Sequence, residues 1–118
     1  MLKLSASQQA GPYWLDLIQG VRIRVKPVTV AAIIAARHAA AEAMKTQGAD
    51  VAVGSVAFTC SLARWGIADW EGVGDAEGDA VYATSENIDV LLEVWQAFDA
   101  IDRLYVMPAL IGAQEKNA

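Results

Sequence analysis

The chain has 118 residues, 55% of them hydrophobic and 19% charged, with a net charge of −5. That length fits one domain with one modest core, residues 1–118, and the apolar content excludes intrinsic disorder. A single cysteine, Cys60, excludes an internal disulfide framework or a cysteine-rich zinc site and suits a reducing compartment.

Charge is unevenly placed. Residues 1–68 carry seven basic side chains against three acids, and residues 69–118 carry two against eleven. An acidic half opposes non-specific binding to a phosphate backbone, so no nucleic-acid partner is expected; the acids are read first as keeping an apolar domain soluble, and second as steering the chain toward a basic partner surface. The start of the chain, Met1–Ala10, lacks the basic and apolar segments of a signal peptide. The longest uncharged run, Val51–Ala63 between Asp50 and Arg64, is 13 residues long, short of the roughly 20 a membrane helix needs, so no membrane partner is expected.

In chain order, residues 1–12 read as a loose terminus. Tyr13–Leu17 and Val21–Lys26 then read as an antiparallel hairpin turned at Gly20. Val21, Ile23 and Val25 alternate with Arg22, Arg24 and Lys26, which assigns the first set to the core and the second to solvent. Pro27 ends the strand. Thr29 caps an alanine-rich helix over Val30–Lys45, whose inner face would carry Val30, Ile33, Ile34, Ala40, Ala41 and Met44, with Gly48 closing it. Asp50 caps a second helix, Val51–Trp65, apolar nearly all round and therefore central. Its small residues Ala52, Gly54, Ser55 and Ala57 would admit a close neighbour.

Asp69–Ala83, rich in glycine and acids, reads as a long loop with a turn at Asp75–Gly78. Thr84 or Ser85 caps an amphipathic helix along Ile88, Leu91, Leu92, Trp95 and Phe98. Its periodicity continues through Ile101, Leu104 and Tyr105, with a break placed near Asp99 and an end or kink at Pro108. Gln114–Ala118 reads as a frayed tail. The fold class is α+β, mainly α: an N-terminal antiparallel hairpin followed by about four bundled helices.

No catalytic constellation emerges, so the chain is read as a non-enzyme without cofactor. His38 is most simply an i, i+4 surface pair with Glu42, and Cys60 a small apolar residue. Asp75, Glu77 and Asp79 alternate and Glu86 falls twelfth, the spacing of a calcium loop, but Ala80 stands where that loop needs glycine. A calcium- or small-ligand-binding regulatory domain built on the acidic loop, residues 69–86, is the alternative reading. A small enzyme using those acids ranks below it. Among the four tryptophans, Trp65 and Trp95 are assigned to the core. Trp70, between Asp69 and Glu71, is either a lid or a partner anchor. The hairpin edge, with Tyr13, Trp14 and Leu15, is the other candidate partner surface, since an edge strand can accept a partner strand.

Three stretches, YWLDLIQGVRIRVKP, ARWGIADWEGVGDAEGD and SENIDVLLEVWQAFDAIDRLYVMPALIGAQEKN, together resemble tail assembly chaperones of long-tailed bacteriophages and of prophages or gene-transfer agents in alphaproteobacteria. The likeness covers about residues 13–117. It implies a small helical protein that keeps a tape-measure protein soluble while tail tube subunits polymerise around it. The tail tube protein is a second candidate partner, self-association is expected, and no catalytic residue is implied.

Overall fold

A computed structural model describes residues 11–111. The first ten residues and residues 112–118, which include the expected tail Gln114–Ala118 and most of the expected loose N-terminus, lie outside them. The chain runs β1 (Tyr13–Ile18), β2 (Val21–Val25), α1 (Val30–Ala43), α2 (Val51–Gly66), β3 (Ile67–Glu71), α3 (Ser85–Leu92) and α4 (Trp95–Ile101). α4 runs on through a π-helical turn, Asp102–Val106, into helix over residues 107–111. The class is α+β, mainly α. No described helix is long and apolar enough to cross a membrane.

The hairpin forms in the expected register. Ile23 and Val25 are 0% exposed, and Arg22, Arg24 and Lys26 face outward. Full burial of each such aliphatic chain contributes about 1.5–3 kcal/mol, whereas a one-residue slip would bury three cations instead. Gly20 turns the hairpin at φ +81°. On the outer face Arg22 bridges Asp16 at 3.3 Å and Glu71 at 3.4 Å and lies over the Trp14 ring, while the Lys26 ammonium sits 4.4 Å from the Trp65 ring centroid.

The segment expected to be all loop instead begins with a third strand. β3 pairs antiparallel with β2, giving the order β1-β2-β3. Ile67 and Trp70 are three residues apart, an odd spacing that regular pleating would put on opposite faces. The register shift between Val25↔Ile67 and Arg24↔Asp69 leaves Ala68 as the extra residue, and both Ile67 and Trp70 turn inward, each 6% exposed. A matching bulge at Leu17 lets Leu15, Leu17 and Ile18 all meet the core.

The helices depart from expectation in three places. Thr29 does cap α1, its Oγ1 accepting from the Ala32 N–H at 3.1 Å. The buried face, however, is Ala32 and Ala36 with Ile33, Ala39, Ala40 and Ala43 half-buried. Val30, Ile34, Ala41 and Met44 are exposed. Alanines let α1 and α2 approach closely, and Gly54 of α2 lies against Met44 and Ala40. Second, the long amphipathic helix breaks at Glu93–Val94, not near Asp99. Val94 is extended (φ −84°, ψ 114°), so α4 buries Ala97, Ala100 and Ile101 and turns Trp95 out to 68% exposure, against its assignment to the core. Third, Pro108 neither ends nor interrupts the helix. The π turn before it moves the hydrogen-bond ladder by one residue, with the Met107 N–H donating to Asp102 O, which leaves room for a proline ring that would otherwise meet the carbonyl four residues back.

Tyr105 joins sheet and helices. It is 2% exposed, and its hydroxyl donates to Lys26 O at 2.7 Å, just past β2. Lys26 N–H in turn donates to Gly66 O at 2.9 Å. A Cβ on Gly66 would sit on the Tyr105 hydroxyl, so only glycine ends α2 there. Burial pushes the phenol above its ordinary value of 10.0, with a smaller push from Tyr13. Replacing Gly66 with valine is expected to cost about 3 kcal/mol or more, and Tyr105→Phe about 1–2 kcal/mol, in denaturant melts. The raised folded value also sets a pH dependence. The stability gained by keeping Tyr105 neutral is full below about pH 10, where the unfolded phenol is also protonated, and is lost as pH rises from there through the folded value. Tyr105→Phe should therefore show a shallower alkaline loss of melting temperature than the parent chain.

Candidate functional site

The first partner candidate, the hairpin edge, is only partly on display. Leu15 packs on the core, Trp14 is half-buried under Arg22, and Tyr13 is 43% exposed with its phenol pushed up by burial. Among the described residues β1 pairs only with β2, and α4 packs beside it. Trp70 is a lid. Its indole Nε1–H donates to Val81 O at 2.7 Å, which pins the 72–83 loop over the ring and leaves no anchor for a partner.

The acidic loop does form the expected turn. The Asp75 carboxylate accepts from the N–H groups of Glu77 and Asp79, both at 3.0 Å, and Gly78 adopts φ +86°. The N–H of Asp75 donates to Asp79 O, and Gly74 and Ala80 form a single β-bridge. The Asp75 carboxylate is thus used by its own turn, and Glu86 lies in the first turn of α3. Among the described residues no three acidic, histidine or cysteine side chains converge as a metal site, so Asp75, Glu77, Asp79 and Glu86 are not brought together as calcium ligands.

His38 is exposed, and Glu42 pairs with Lys45 at 2.9 Å instead of with His38. Cys60 is half-buried against the core. Burial raises its thiol above the usual value, Arg64 lowers it, and Asp89 and Glu93 raise it, so the net effect keeps the sulfur protonated at neutral pH.

One concavity lies where the sequence offered no motif. α1 and the C-terminal helix flank α2 on either side and leave a groove of about 640 Å³ across it. Apolar side chains dominate its walls: Met44, Val51, Phe58, Val106, Met107 and Leu110, with Gly54 and Ser55 between them. Thr59, 4% exposed, donates from Oγ1 to Asp102 Oδ1 at 3.1 Å, so the polar pair in the wall is satisfied internally. Arg37 stands at the rim and makes no ion pair among the described residues. A smaller hollow of about 440 Å³ at the hairpin tip is bounded by the Asp16–Arg22–Glu71 ion pairs. The groove escaped sequence reasoning because its walls come from three separated segments. The outward Met44 of α1 was the one usable signal: a helix whose alanines suffice for packing has bulky residues to spare.

Comparison of the chain with protein-family models, with curated proteins and with solved structures finds no match.

The Thr59–Asp102 bond ties α2 to the π turn that forms one groove wall. A double-mutant cycle of Thr59→Val and Asp102→Ala, read by chemical denaturation, should return a coupling of about 1 kcal/mol, and additive losses would show that the bond does not hold that wall.

Proposed function

We propose that the chain is a non-enzymatic assembly chaperone that holds a helical segment of a partner protein in the groove across α2. The observation that carries this reading is the groove itself: an open apolar channel between two helices, walled partly by the adaptable side chains of Met44 and Met107. An amphipathic helix laid there would cover surface that α1 and the C-terminal helix leave bare on α2. The occupant we assign is a segment of the tape-measure protein of a phage- or prophage-derived tail, with the tail tube protein as the second candidate. The support for that identity is the likeness of the three stretches quoted above to tail assembly chaperones, and the bacterial cytoplasm, where such tails assemble, is the corresponding location. The groove is favoured over the acidic loop as the binding site because Asp75 is already committed within its own turn. In the absence of partner, the exposed apolar groove is expected to drive self-association.

Co-expression with the tape-measure protein expected in the same gene neighbourhood tests this. The tape-measure protein should be soluble only when the chain is present, and the two should co-elute on gel filtration. Met44→Asp and Met107→Asp, both at positions more than 40% exposed, should weaken the complex at least about tenfold while leaving the helical circular-dichroism signal intact. A tape-measure protein equally soluble with and without the chain, and no recoverable complex, would refute the assignment.

A further inference from the structure

Away from the groove, three exposed apolar side chains cluster at the junction of α3 and α4. Val90 is 66% exposed, Val94 43% and Trp95 68%. Val90 and Val94 are one turn apart, and the Glu93 and Val94 N–H groups close that turn onto Val90 O and Leu91 O. The indole is held in place: its ring stacks on Phe98 with centroids 6.2 Å apart and planes 22° apart, and Phe98 packs against the core. A braced tryptophan standing in solvent has the character of a binding anchor.

The charge around this patch is net negative. No Lys, Arg or His occurs from Trp65 to Asp102. Asp89 is paired with Arg64 and Asp99 with Arg103, but Glu86 and Glu93 make no ion pair among the described residues. Glu86 lies one turn before Val90, and Glu93 lies between Val90 and Val94, so both carboxylates border the apolar surface.

We propose that this face docks a basic amphipathic helix of a partner protein. The helix would cover Val90, Val94 and Trp95 with its apolar side and set Lys or Arg against Glu86 and Glu93. The carboxylates select the sign of the partner and speed its approach, and the indole supplies most of the contact. A lysine or arginine reaching over the exposed ring gains a cation–π contact as well. This surface is distinct from the groove and does not depend on the identity of the groove's occupant.

The test uses the full chain and a fluorescein-labelled synthetic peptide of about five helical turns, built of Leu and Lys in an amphipathic pattern, with a Leu/Glu counterpart. By anisotropy the Leu/Lys peptide should bind and the Leu/Glu peptide should not, and added salt should weaken binding. Trp95→Ala should weaken it about tenfold or more, with circular dichroism unchanged. Glu86→Lys combined with Glu93→Lys, a second variant at exposed positions, should weaken it comparably. Glu77→Lys combined with Asp79→Lys in the acidic turn, a control with the same change of net charge, should leave affinity within about twofold. Equal binding of both peptides, an unchanged affinity in Trp95→Ala, or an equal loss in the control variant would overturn the proposal.

Discussion

A single buried side chain, Tyr105, ties sheet and helices together. Tyr105 reaches from the C-terminal helix to the carbonyl just past β2, and it can do so only because α2 ends in glycine directly beneath it. Lys26 closes the triangle by donating its N–H to Gly66 O. Three segments far apart in sequence thus meet at one point, and each polar group there is satisfied by another member. Around this point the rest takes its position. β3 must begin immediately after Gly66, which places Ile67 opposite Val25 and forces the Ala68 bulge if Trp70 is to face the core. The π turn, Asp102–Val106, contains Tyr105 and brings both Tyr105 and Val106 inward.

A second constraint is the small size of the side chains at the α1–α2 contact. Alanines on α1 and Gly54 on α2 let two helices pack closely, but close packing of small side chains removes less apolar surface per turn than larger ones would. The bulky residues of both helices are left outside, with Val30 73% and Val51 80% exposed. The groove follows from that economy. A helix pair that needed Met44 and Val51 for its own cohesion could not offer them to anything else.

The hairpin, its register, the caps at Thr29 and Asp50 and the turn at Asp75–Gly78 were all legible in the sequence, because each rests on local chemistry: period-two alternation, a side-chain oxygen near free N–H groups, a glycine at positive φ. What was not legible was non-local. β3 was hidden because its bulge breaks alternation, leaving Ile-Ala-Asp-Trp-Glu with no strand period. The inner face of α1 was misassigned because hydrophobicity favours Val30 and Ile34 over alanine, whereas helix approach favours alanine. The break at Val94 carries neither glycine nor proline, and it arises because Ala97 and Ala100, not Trp95, suit the contact beside β1. Of the candidate site residues, Trp70 proved to be a lid and the acidic loop a self-satisfied turn. Trp95, assigned to the core by periodicity, proved to be the tryptophan most available to a partner.

The two exposed surfaces differ in kind, and the difference follows from charge. The groove's lining carries one cation, Arg37, and one anion, Asp102, among mostly apolar side chains, so its charges balance, hydrophobic contact dominates whatever lies there and salt should affect it little. The Trp95 face is bordered by unpaired carboxylates in a stretch of chain without a single cation, so its attraction is electrostatic at long range and apolar only on contact. On the two proposals, such a protein would capture a basic segment quickly at one face and hold an apolar one at the other. The two contacts need not come from one partner. If they do, the linker between its two segments raises their effective concentration, and occupancy of both faces strengthens binding without any further contact.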